Sequence, residues 1–278
     1  SASFQPEGVG PLNQRIVEAA RAFLESGGSH ELAFPIGTED RGVLATLSGE
    51  IAQRIRERRR LGADPAIPGE LRLTFTGSAG QGFGAFLTEG LHVRLLGEAN
   101  DSVAKSMSGG TLVLRPHPAA SFSPEENAIL GNGALYGATG GSFFARGLAG
   151  DRFAVRNSGA HAVVEGAGHH ACEYMTRGAV AILGPVLTNA GAGMTGGCLF
   201  LRRDHASRVN ADYLSPIHWR QEEEQLFRSL LLTHAAETGS TTASSLLADW
   251  PGTLKAFTPY VPAAVATALA PRLAHPVE

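Results

Sequence analysis

The sequence is poor in several things that would point to a function at once. Its 278 residues hold only two cysteines, Cys172 and Cys198, so a disulfide-stapled secreted scaffold is excluded. No run of about 18 apolar residues occurs, and no transmembrane helix is expected. Ser1 to Gly10 lacks a basic stretch followed by an apolar core, so no secretory signal is read there. Net charge is only −3 with the two signs intermixed, which argues against a nucleic acid or an anionic membrane as partner. A cytoplasmic location is the simplest expectation.

Glycine is what the sequence has in excess, with 35 residues, and these fall in register. A small residue followed by a short run of β-branched, aromatic or aliphatic residues recurs with Gly110, Gly141, Ala160, Gly178 and Gly197 as anchors. The steps are 31, 19, 18 and 19, and the long one contains a 12-residue insertion, Arg115 to Glu126, without which it too would be 19. Two positions after each anchor stand Leu112, Phe143, Ala162, Val180 and Leu199; four positions after stand Leu114, Ala145, Val164, Ile182 and Leu201. Strand side chains alternate faces, so both columns point the same way, into a common interior. One strand per 19-residue turn predicts a mainly β fold, a parallel single-stranded β-solenoid, with flanking α-helices at both ends. Gly110, Gly141, Gly159, Gly178 and Gly197 are expected at coil corners, where the backbone needs positive φ or close approach.

Three regions are expected: a helical and linker segment over 1–66, the β-helix over 67–205, and a helical extension over 206–278 that packs on it. Apolar periodicity predicts helices over Leu12–Glu25, Val43–Arg60 and Glu222–Ala236, shorter ones over Thr241–Ala248 and Leu254–Phe257, and a strand over Glu31–Ile36. The Arg56–Arg60 turn reads as a solvated helix end. The tail from Pro262 reads as helical or poorly ordered. One column, Val113, Phe144, Val163, Ala181 and Phe200, faces away from the interior and is apolar throughout. A stripe of that size needs cover, from the terminal helices and from another domain together. Val113, Phe144, Val163 and Phe200 are therefore candidate domain-interface residues.

Other clusters read as structural. Gly80 to Gly84 could suggest a phosphate loop, but it runs on toward a strand instead of opening a helix. His169, His170, Cys172 and Glu173 lack the converging spacing of a zinc site. Asn132, Asn157 and Asn189 suit turns, where Asn132 and Asn189 could stack. Asp151, Glu165 and Glu173 occupy different columns, against paired-carboxylate hydrolysis.

Phe75-Thr76-Gly77-Ser78-Ala79-Gly80-Gln81, Gly97-Glu98-Ala99-Asn100-Asp101, Ala154-Val155-Arg156-Asn157-Ser158-Gly159, Val164-Glu165-Gly166 and Ala192-Gly193-Met194-Thr195-Gly196-Gly197 resemble the C-terminal domain of the glutamate synthase large subunit. The likeness extends over nearly the whole chain, with departures at Gly82, His170 and Arg177. It implies a right-handed parallel β-helix, in an oxidoreductase of glutamate biosynthesis that moves the amide nitrogen of glutamine onto 2-oxoglutarate. In that family a cysteine-initiated glutaminase domain and a barrel carrying FMN and an iron–sulfur cluster do the chemistry. The resemblance implies a non-catalytic scaffold that binds no cofactor and no metal itself, is inactive in isolation, and partners those two domains or subunits. The alternative is a free-standing assembly subunit of the N-methylglutamate synthase or formylmethanofuran dehydrogenase type.

Overall fold

A computed structural model describes residues 10–64 and 66–269. The residues before Gly10 and the end of the expected tail lie outside these residues. Helices α1 (Pro11–Ala19) and α2 (Arg21–Ser26) replace the single helix expected there, and Gly27 at φ +70° ends the second. They are followed by β1 (Gly28–Ile36), α3 (Ala45–Arg60), β2 (Gly69–Ala79), β3 (Leu91–Ala99), β4 (Thr111–Arg115) and β5 (Ala128–Leu130). Strands β6 (Ser142–Ala149), β7 (Ser158–Ala167), β8 (Arg177–Ile182) and β9 (Cys198–Arg202) complete the repeat. The chain continues through β10 (Leu214–Pro216), α4 (Gln221–Thr238), α5 (Thr241–Ala248), α6 (Trp250–Ala256), β11 (Phe257–Pro262) and α7 (Ala263–Leu269).

One sheet runs in the order β1-β2-β3-β4-β6-β7-β8-β9-β11-β10, parallel from β1 to β9 and antiparallel where β11 meets β9 and β10. The inward column appears directly in the register: Leu112 pairs with Phe143, Phe143 with Ala162, Ala162 with Val180, and Val180 with Leu199. These residues, with Phe75, Leu73 and Leu95 from the preceding strands, form the main core.

The expectation of a mainly β, single-stranded solenoid is corrected. Among the described residues helix and strand are present in nearly equal measure, about 31% and 30%, which makes the fold α/β. Strand β5 pairs with both β3 and β6, so β3, β4, β6 and β5 close into a four-strand ring beside the longer run of strands. The sequence repeat reports strand spacing alone. It is blind to a three-residue strand just after the insertion and to helices that carry no 19-residue period. The segment expected as a helix over Leu254–Phe257 divides at Ala256, where α6 ends and β11 joins the sheet.

The turns between strands have a backbone of their own. Six of them place alternate residues in the left-handed region: 82/84/86, 102/104/106, 133/135/137, 152/154/156, 170/172/174 and 189/191/193. Six of these eighteen positions are glycine and twelve are not, including Ala104, Leu135, Ala154 and Cys172. Left-handed φ costs an L-residue roughly 1–2 kcal/mol, so something must hold it. In the first five turns the outer two of each trio donate their N–H to the following turn and the middle one donates to the preceding segment, at 2.7–3.0 Å; Ser102, for example, bonds Asn132 O, Ala104 bonds Phe83 O and Ser106 bonds Tyr136 O. Beside it runs a side-chain ladder, in which Asp101 Oδ1 accepts from Asn132 N, Asn132 Oδ1 from Asp151 N, and Asp151 Oδ1 from His169 N.

Candidate functional site

The outer face of the sheet divides in two. Over β4 to β9 it is apolar and roofed by α4, α5 and α6, and β11 closes its far end. Val113, Phe144, Val163 and Phe200 are all buried in this second core with Phe227, Leu231 and Phe257. Phe200 stacks on Phe227 at 4.9 Å and on Trp219 at 5.9 Å. The stripe singled out in the sequence is thus covered by the chain's own C-terminal elements. Over β2 and β3 the same face is polar. Arg94, which pairs in register with Val113, bonds Glu237 near the end of α4 at 3.0 Å, with His92 at 3.2 Å from the same carboxylate oxygen.

Where the roof meets the sheet lies the most buried polar cluster. Glu165 projects from β7, next to Val164 of the inward column, and so faces the roof. His234 on α4 lies fully buried with Nε2 at 3.0 Å from Glu165 Oε1, and Ser240 Oγ donates to the same oxygen at 2.5 Å. Burial alone would push this carboxyl up; the bonds and charge from His234 and the bond from Ser240 outweigh it, and the net direction is below the ordinary carboxylate range. An ionised carboxylate only accepts, so the His234 Nε2 nitrogen carries the proton between them. Ser240 also caps α5, accepting from Ala243 N at 3.0 Å, after Gly239 ends α4 in the left-handed conformation at φ +69°. A serine, a histidine and a carboxylate meet here, but not as a nucleophilic triad. The hydroxyl donates to the acid rather than to the imidazole, so no base takes its proton. The arrangement ties two helices to one strand. Neither His234 nor Ser240 stood out in the sequence, since they lie 69 and 75 residues from Glu165.

The remaining candidates resolve into local supports. Glu173 Oε1 lies 2.8 Å from His170 Nδ1 and accepts from Asn189 at 2.9 Å, and Asn210 donates to Asn189 Oδ1 at 2.7 Å. Asn132 therefore stacks on Asp101 and Asp151 and not on Asn189. Among the described residues no group of three or more His, Cys, Asp and Glu side chains converges as metal ligands would. Cys172 lies in the inward core and Cys198 in the roofed one, on opposite faces of the sheet; burial pushes both thiols far up, away from the thiolate that a cluster needs. Gly82 and Gly84 spend their N–H groups on Asp101 O and Val43 O, so the Gly80–Gly84 turn has no cradle for the phosphate of a flavin nucleotide. The residues present thus fit neither an iron–sulfur cluster nor FMN at these places.

Gly110, Gly141, Gly178 and Gly197 have φ from +75° to +91°, and Gly159 reaches the same strand starts with ordinary φ but with no room for a side chain against Thr139 O. No helix among the described residues is long and apolar enough to cross a membrane.

Residues 13–263 match the GXGXG motif family. A stretch of 228 residues is 47% identical to ferredoxin-dependent glutamate synthase 2 of Synechocystis, covering 80% of this chain and 14% of that protein. A 227-residue stretch is 45% identical to the chloroplastic ferredoxin-dependent glutamate synthase of Spinacia oleracea, again 80% of this chain and 14% of the relative. A 256-residue stretch is 41% identical to the NADH glutamate synthase of Schizosaccharomyces pombe, covering 90% of this chain and 12% of that one. The chain thus spans 12–14% of the length of these curated relatives. The match over most of its length shows that this chain belongs to the GXGXG motif family, and it is similar to part of the glutamate synthases.

Proposed function

We propose that this chain is the non-catalytic structural domain of a glutamate synthase, an enzyme that makes glutamate from glutamine and 2-oxoglutarate. It holds a glutaminase part and an FMN-barrel part in fixed relation. FMN and the iron–sulfur cluster belong to those parts, which draw electrons from an external donor, ferredoxin or NADH in the relatives' names. The observation that carries the reading is how the polar residues are used. The turn N–H groups bond adjacent turns, and Glu165, His234 and Ser240 bond one another beneath the roof. These polar groups serve rigidity. Two unpaired, buried thiols suit a reducing compartment such as the cytoplasm.

The test is reconstitution. The chain is co-expressed with separately encoded glutaminase and FMN-barrel parts, and glutamate formation is assayed with each part omitted in turn. Turnover should need all three. Glutamate formation by this chain alone, or full activity without it, would overturn the proposal. If the chain instead co-purifies with, and is needed by, an enzyme of another reaction, the free-standing assembly-subunit reading replaces it.

A further inference from the structure

The C-terminal turn of α3 holds the densest charge in the molecule, Arg56, Arg58, Arg59 and Arg60 around a single acid, Glu57. The helix buries Leu47, Ile51 and Ile55 on one side, which turns Arg56, Arg59 and Arg60 toward solvent. Lysine or arginine near a helix C-terminus is ordinary, and a solvated end would account for it. Three observations go further. Arg58 is engaged, donating to Asp64 O at 2.7 Å, and Arg60 has a loose pair with Glu57 at 3.6 Å; Arg56 and Arg59 have no partner among the described residues. Both of these line a cleft of about 410 Å³ whose other walls include Ile55, Thr88, Glu89 and Ser108. And the residue that follows the arginines is Leu61, 70% exposed, the most exposed large apolar side chain among the described residues.

Unpaired guanidinium groups beside an exposed aliphatic side chain have the composition of an interaction surface, where arginine is enriched and an apolar anchor sits among polar contacts. We propose that this surface, Arg56, Arg59 and Arg60 around Leu61, docks an acidic protein surface. Charge complementarity selects the partner. A guanidinium fork matches single carboxylates bidentately. A nucleic acid would lay a continuous row of phosphates across Glu57 and Glu89 and offer its backbone nothing to bury Leu61. An anionic bilayer needs a broader amphipathic face than one turn of helix. The overall charge of −3 makes the patch a local exception, so a partner attracted to it is oriented by it.

The whole chain can be tested with labelled poly-L-glutamate and with a random copolymer of glutamate and tyrosine, by fluorescence anisotropy at low and high ionic strength. Both should bind, the copolymer more tightly, and both should release on adding salt. The triple variant R56Q/R59Q/R60Q should bind about tenfold more weakly with an unchanged melting curve, since all three side chains face solvent. The triple lysine variant should fall between, because it keeps charge and loses the fork. L61S should remove the preference for the copolymer and leave the salt dependence as it was. Undiminished binding by the triple glutamine variant overturns the proposal. So does tighter binding of the native chain to a short DNA duplex, or to phosphatidylcholine vesicles carrying phosphatidylserine, than to either polymer.

Discussion

Each repeat has a strand side and a turn side, and the two are specified in different ways. On the strand side the residue types themselves carry the geometry. β-branched and aromatic side chains alternate, and the column they form is the column that pairs. On the turn side the geometry is imposed from outside. Ala104, Leu135, Arg152, Ala154 and Cys172 adopt left-handed conformations that none of them favours, because their N–H groups are claimed by the turns before and after. Strand residues choose their structure, and turn residues are assigned theirs by their neighbours.

Substitutions can break this contrast. The largest effect is expected on the strand side: Phe143→Ala removes a fully buried ring from the inward core and should cost about 3–5 kcal/mol in denaturant unfolding. A loss of less than about 1 kcal/mol, little more than a surface substitution costs, would show that the column does not hold the core. Glu165 is the polar exception on the strand side. Glu165→Gln keeps an acceptor for Ser240 but loses the charge facing His234, and should cost about 1–3 kcal/mol at neutral pH. The folded carboxyl lies below its ordinary value, so its contribution is present above the unfolded pKa of about 4.3 and is lost as pH falls through the lower folded value. Native and variant proteins should therefore converge in stability on acidification; a constant gap down to the most acid pH tolerated would remove Glu165 from the account. The smallest effect has the opposite sign. Arg152 is exposed with φ +60°, so Arg152→Gly should leave the turn in place and gain up to about 1 kcal/mol. Destabilisation by the same amount would mean that the arginine side chain, and not the backbone bond, holds the turn.

How much could be read from the sequence follows from the same contrast. Leu112, Phe143, Ala162, Val180 and Leu199 announced their pairing, and the insertion from Arg115 to Glu126 was separable by counting. The glycines before the strands stood out by their spacing, and four of the five have positive φ. The left-handed turns were not legible, because most of their positions hold residues that ordinarily avoid that conformation. Two strands were missed for a related reason. Ala128–Leu130 is too short to show an alternation, and Phe257–Pro262 contains two prolines that argue against a paired strand, yet its antiparallel pairing with β9 places it in the sheet. The Glu165, His234 and Ser240 cluster joins residues brought together only by the roof. The outward stripe was seen, and its need for cover was seen; that its cover is Phe227, Phe257 and their neighbours required the structure.

The turn ladder has a mechanical consequence. Its bonds run along the axis of the stack, as do those between parallel strands, and the two sets lie on different sides of each repeat. Bending the stack toward one side stretches the set on the other, so flexing in that plane is opposed by hydrogen bonds in either sense. Such a body resists hinging between one repeat and the next, because a hinge there would have to break turn and strand bonds together.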